Sequence, residues 1–147
     1  MQNGLFHPAF LLLLPAFLVF WCGTCFLDSL IIGWRRMAKR FASNAGPVGE
    51  MRSANAFPYT VYWRGWAHYS WIVRLTAASD GLYLSVIAPF RPGHPPLRIP
   101  WNEIVFGRAR FLFRSYVELR LGNEDKIPLR ISERMAGKLG ILERVPA

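Results

Sequence analysis

Apart from the terminal amine and His7, nothing between Met1 and Leu27 carries a charge, and FHPAFLLLLPAFLVFWCGTCFL runs apolar almost without interruption. At 1.5 Å per helical residue such a run crosses a bilayer core of ~30 Å once. The sequence therefore predicts one transmembrane helix over residues 5–34. It starts without basic residues and has no Ala-x-Ala site before the arginines, so it reads as a retained anchor rather than a signal peptide. WRRMAKRF follows, with Arg35, Arg36, Lys39 and Arg40 on one flank only. The positive-inside bias puts the N-terminus outside and the C-terminal domain in the cytoplasm.

Within the span, Pro8 suits a first helical turn and Pro15 predicts a kink. Ala9, Ala16 and Gly23 recur every seven residues and so share one face, either a packing surface for a second helix or a chance recurrence in a Leu- and Ala-rich run. Asp28 falls near the inner headgroups, within reach of Arg35 or Arg36. Cys22 and Cys25 have the C-x-x-C spacing of a redox pair or half a zinc site, but the thioredoxin-like context and the further ligands are missing. They read as packing residues.

The remaining chain has room for one domain. Residues 35–56 form a basic juxtamembrane segment and a breaker-rich linker, ASNAGPVGE. From Phe57 the pattern is β: FPYTVYW, YSWIVRLTA, GLYLSVIA, LRIPW, EIVFGRARFLF, SYVELRL and IPLRI, with turns at Arg64-Gly65, Asp80-Gly81, Arg114-Ser115 and GNEDK. Ser132 then caps a short amphipathic helix over 132–143, weakened by Gly137 and Gly140. In FRPGHPPLRIPWNEI the prolines stiffen a crossing between strands. Pro100 marks an edge or bulge, Trp101 and Ile104 turn inward, and Arg91 and His94 form an exposed tip.

Seven antiparallel strands and a C-terminal helix over 57–143 resemble the pleckstrin-homology (PH) superfold. GLYLSVIAPF with LRIPWNEI, and GWRRMA at residues 33–38, are similar to stretches of bacterial PH-like and GRAM-like modules in small single-span membrane proteins. The resemblance implies a bacterial inner-membrane protein with a bent, partly open seven-stranded PH-like barrel closed at one end by the helix.

Little in the chain points to catalysis. His7, His68 and His94 do not converge in sequence, Glu124-Asp125 lie in a turn, and neither a nucleophile with its base nor a phosphate-cradling loop appears. No catalytic residue, cofactor or metal is expected. The net charge is +9, fifteen of the eighteen cationic residues being arginine. Beside a membrane such a surplus suits anionic phospholipid or protein rather than nucleic acid, for which no motif is present. Arg108, Arg110 and Arg114 read either as an anion clamp or as a solvated basic face, and Trp66 as an exposed contact residue. The expected function is a non-enzymatic accessory or structural subunit of a larger inner-membrane complex for energy transduction, transport or secretion, contacting other membrane-protein subunits. The alternative is a PH-like module that binds anionic lipid.

Overall fold

The computed structural model of the chain describes residues 8–55, 60–64, 67–111 and 113–146. One long apolar helix, α1 (Pro8–Ile32), stands at the N-terminus with Pro15 inside it. Its Leu11–Ile32 stretch has a mean hydropathy of 2.0 and is long and apolar enough to cross a membrane. Gly33 then adopts a left-handed backbone (φ +86°) and donates to the Leu30 carbonyl, ending the helix as a glycine after the last turn does.

A second helix, α2 (Trp34–Phe41), follows at once. Trp34, Met37 and Phe41 recur at three and four, the spacing of one helix face, and all three are buried in the core of the β domain. Arg36, Lys39 and Arg40 fall on the solvent side. The segment read as juxtamembrane chain and linker thus supplies core residues as well as charge. It also holds the first strand, β1 (Met51–Asn55).

Eight strands follow: β2 (Thr60–Trp63), β3 (Ala67–Ser70), β4 (Val73–Ala78), β5 (Gly81–Val86), β6 (Leu97–Pro100), β7 (Ile104–Phe111), β8 (Arg114–Leu121) and β9 (Ile127–Ser132). They form two antiparallel sheets, β1-β4-β5-β6 and β3-β2-β9-β8-β7. The seven-stranded barrel expected from the sequence is not what forms: nine strands lie in two separate sheets. YSWIVRLTA divides at Trp71, whose φ of +79° breaks the ladder and sends β3 and β4 into different sheets. Because β1 pairs with β4 and β2 with β3, residues 51–78 serve both sheets.

Alternation along each strand explains the packing. Leu75, Leu82, Leu84, Leu97 and Ile99 from the first sheet meet Val61, Trp63, Leu119, Leu129 and Ile131 from the second in one core. α3 (Glu133–Leu139) covers the open side, placing Met135, Ala136 and Leu139 against β1, β8 and β9. Ser132 caps it, its hydroxyl accepting from the Met135 amide at 3.2 Å. Gly140 ends the helix at φ +69°, so it caps rather than weakens it. The Asp80-Gly81 hairpin forms, but for a different reason than its usual backbone freedom. A Cβ at Gly81 would lie 2.5 Å from the Ile99 carbonyl oxygen, so the residue is small because β6 runs too close. Pro100 lies on β6, an edge strand, as a residue without an N–H should.

Candidate functional site

The most highly constructed region is the joint between α1 and the β domain. The last carbonyls of a helix have no partner within it. Here Gly33 N–H takes the Leu30 oxygen at 3.2 Å, Arg64 Nη1 donates to Ile31 O at 3.3 Å, and Trp63 Nε1 donates to Ile32 O at 3.0 Å. Arg64 also puts a cation at the negative end of the helix dipole. Trp34, fully buried, stacks on Trp63 with ring centroids 5.0 Å apart and donates its indole N–H to Pro95 O at 2.9 Å. GWRR is therefore a structural joint: a left-handed turn, then an indole locked into the core.

The proline loop closes the other side of this joint. His94 is 4% exposed, edge-on to Trp34 at 5.3 Å, with Nδ1 3.1 Å from Pro92 O. Burial pushes its imidazole below the ordinary value. The exposed His94 tip expected from the sequence is thus a buried contact; Arg91 remains exposed. Further along α1, Trp21 Nε1 donates to Pro89 O at 2.6 Å and the ring meets Phe90 at 5.2 Å. Cys25 and Ser29 are buried on this same face, while Cys22 is exposed. Ser29 Oγ is satisfied by its own helix, donating to Phe26 O at 2.7 Å.

The candidate cations separate into two groups. Arg35 lies over the Phe26 ring at 4.5 Å, and Arg36 and Lys39 are exposed. Arg40 pairs with Glu124 at 3.1 Å and Glu103 at 3.6 Å. Arg108 pairs with Glu133 at 3.9 Å and donates to Pro146 O at 3.1 Å. Arg110 and Arg114 are exposed at the far end of the β7–β8 hairpin, and Arg114 begins β8 opposite Phe111 rather than forming the turn. Arg114 is seven residues along β8 from Leu121, about 24 Å at strand rise. Leu121 pairs with Ile127, which approaches Gly33 at the joint. The structure does not bring the two basic groups together. Trp66 lies outside the described residues, as does the Ala9 side chain; Ala16 is exposed, and a Cβ at Gly23 would meet nothing within 4 Å.

Two polar features escaped the sequence reading. A cleft of about 590 Å³ lies between the 43–47 segment and the outer face of the first sheet, with Ser53, Thr76, Ser85, Arg74 and Arg91 in its lining. Arg74 Nε donates to Asn55 Oδ1 at 3.0 Å, which fixes the guanidinium on that face. Strand register carries the signal, since residues 53, 74, 76 and 85 share one side; Arg91 joins them only through the fold. On the second sheet, Glu118 is 8% exposed and accepts from Arg130 Nε at 2.8 Å and Arg120 Nε at 3.0 Å. Burial works against its charge, but the guanidinium hydrogen bonds outweigh it and hold the carboxyl below the usual range.

A depressed folded-state pKa stabilises the fold above the ordinary carboxylate value near 4.5, and that stabilisation is lost as pH falls through the lower folded value. The melting temperature of the whole chain should therefore drop on acidification from neutral pH toward about pH 3, and Glu118→Gln should flatten the drop while lowering the neutral-pH plateau. Parallel, merely offset curves would remove Glu118 from the account.

Fold and joint together define a β domain hydrogen-bonded to the foot of one apolar helix. Comparisons of the chain with protein-family models, with curated proteins and with solved structures find no match.

Proposed function

We propose that the chain is a non-enzymatic, single-span accessory subunit of a larger bacterial inner-membrane complex, with a PH-like domain on the cytoplasmic side. The observation that carries this reading is the placement of the Ala16–Gly23 stripe. At about 100° per residue, Gly23 lies some 200° from both Trp21 and Cys25, so the small residues face away from the domain contact. That leaves a narrow, smooth helix face open to a neighbouring helix. The PH-like reading is supported by residues 51–78 crossing between sheets, by the separate β4–β5–β6 and β7–β8–β9 meanders and by the C-terminal helix over the open side. The cytoplasmic assignment rests on Arg35, Arg36, Lys39 and Arg40 at the domain end of α1.

The second reading, recognition of an anionic lipid headgroup, is favoured by the cleft that Arg74 and Arg91 line beside the helix-contacting loop. One experiment separates the two: gentle detergent extraction of the full chain from its native membrane, followed by native mass spectrometry. The subunit reading expects a co-purifying membrane protein that Gly23→Ile releases, with the monomer still folded. The lipid reading expects a bound anionic phospholipid that Arg74→Ala with Arg91→Ala removes. A monomer carrying neither sinks both.

A further inference from the structure

The domain reaches far up α1. Trp21 precedes Ile32 by eleven residues, about 16 Å of helix, yet its indole is held by Pro89 and its ring by Phe90. Beyond that contact α1 has only the thirteen residues Pro8–Phe20, about 20 Å, against a hydrocarbon core of ~30 Å. Counted in sequence alone from Leu5, the run to Phe20 is sixteen residues, short of the ~20 that a span needs. Below the contact, Phe26 and Leu27 are 42% and 55% exposed. A water boundary at Trp21 would leave the span too short and these side chains in water. Both problems vanish when the hydrocarbon extends from Pro8 for twenty residues to Leu27, just before Asp28. The Trp21–Pro89 contact then lies six residues, about 9 Å, inside the leaflet.

The turn has the chemistry for that depth. Ile87, Ala88, Pro89 and Phe90 carry no charge, and Ile87 is 42% exposed. Backbone polar groups in hydrocarbon need internal partners. Ile87 N–H donates to Ile72 O at 3.0 Å, Phe90 N–H to Ile87 O at 3.0 Å and Arg91 N–H to Ala88 O at 3.2 Å, Pro89 has no N–H, and Pro89 O accepts from Trp21. Flanking residues suit the interface: Arg91 is exposed, with a stem long enough to reach headgroups, and Trp71, 67% exposed, stands next to Ile72.

We propose that the Ile87–Phe90 turn is a second membrane-insertion element, embedded among the acyl chains of the leaflet on the domain side, with Arg91 and Trp71 at headgroup level. The proposal rests on α1 spanning the bilayer, and its occupant is phospholipid. The test uses the full chain with Cys22→Ala and Cys25→Ala, in liposomes of zwitterionic and anionic phosphatidyl lipids. An environment-sensitive fluorophore is placed on Ala88→Cys, with Leu18→Cys and Val48→Cys as references in and out of the membrane. Nitroxide-labelled acyl chains should quench the Ala88 probe several-fold more than aqueous iodide does, as at Leu18, with the reverse at Val48. Ile87→Cys should report the same depth, which guards against a local effect of the label. Iodide quenching at both turn positions with lipid quenching kept at Leu18 would overturn the insertion and spare the spanning helix. Loss of lipid quenching at Leu18 as well would overturn both.

Discussion

Trp34→Ala is expected to bring the β domain to the edge of unfolding. Removing a fully buried tryptophan costs about 3–5 kcal/mol, and domains of this size have only about 5–15 kcal/mol in total. Two further losses add to the cavity: the Trp63 ring loses its stacking partner, and the Pro95 carbonyl loses its donor. Trp34→Phe keeps most of the ring and loses the N–H, so it should cost the smaller ~1–3 kcal/mol of a partly buried acceptor left without its donor. Thermal unfolding of the detergent-solubilised full chain, followed by circular dichroism, should rank wild type above Trp34→Phe above Trp34→Ala. An alanine variant melting with the wild type would mean that α2 only decorates the domain.

Gly93→Val is expected to lift the proline loop from α1. Gly93 has φ +76°, where a β-branched residue is strained by roughly 1–2 kcal/mol. Its Cβ would also sit 2.7 Å from Ser29 Oγ and 2.8 Å from Phe26 Cα. The second contact is helix backbone and cannot yield, so the loop must move and the Trp21–Pro89 hydrogen bond must break. Limited proteolysis of the solubilised protein should cut near residues 87–96 in Gly93→Val and leave the wild type intact there. Gly46→Val is the matched control, since its Cβ meets nothing within 4 Å; equal cleavage in the two variants would refute the docking.

Composition alone revealed α1, and the two-residue period revealed most strands, because both are local consequences of which solvent each face meets. The break at Trp71 was hidden: YSWIVRLTA reads as one apolar strand, and a tryptophan at positive φ is a tertiary effect that no propensity announces. α2 was legible but misweighted. Trp34, Met37 and Phe41 have helical spacing, yet the four cations between and beside them drew the segment toward the membrane surface. His94 was beyond reach, because the Trp34 that covers it is sixty residues away in sequence. The same separation kept Arg74 and Arg91 apart until the fold lined one cleft with both.

The tied carbonyls at the foot of α1 leave the anchor without a swivel. With Leu30, Ile31 and Ile32 each held by the turn or the domain, and Trp21 clasped farther up, any rotation of the helix about its long axis carries the whole domain with it. The bearing of the helix in the bilayer and the compass direction of the domain beneath it are one variable. A neighbour seated against Ala16 and Gly23 would approach from the side opposite the proline loop, and by fixing that bearing would also choose which sheet faces the rest of the assembly.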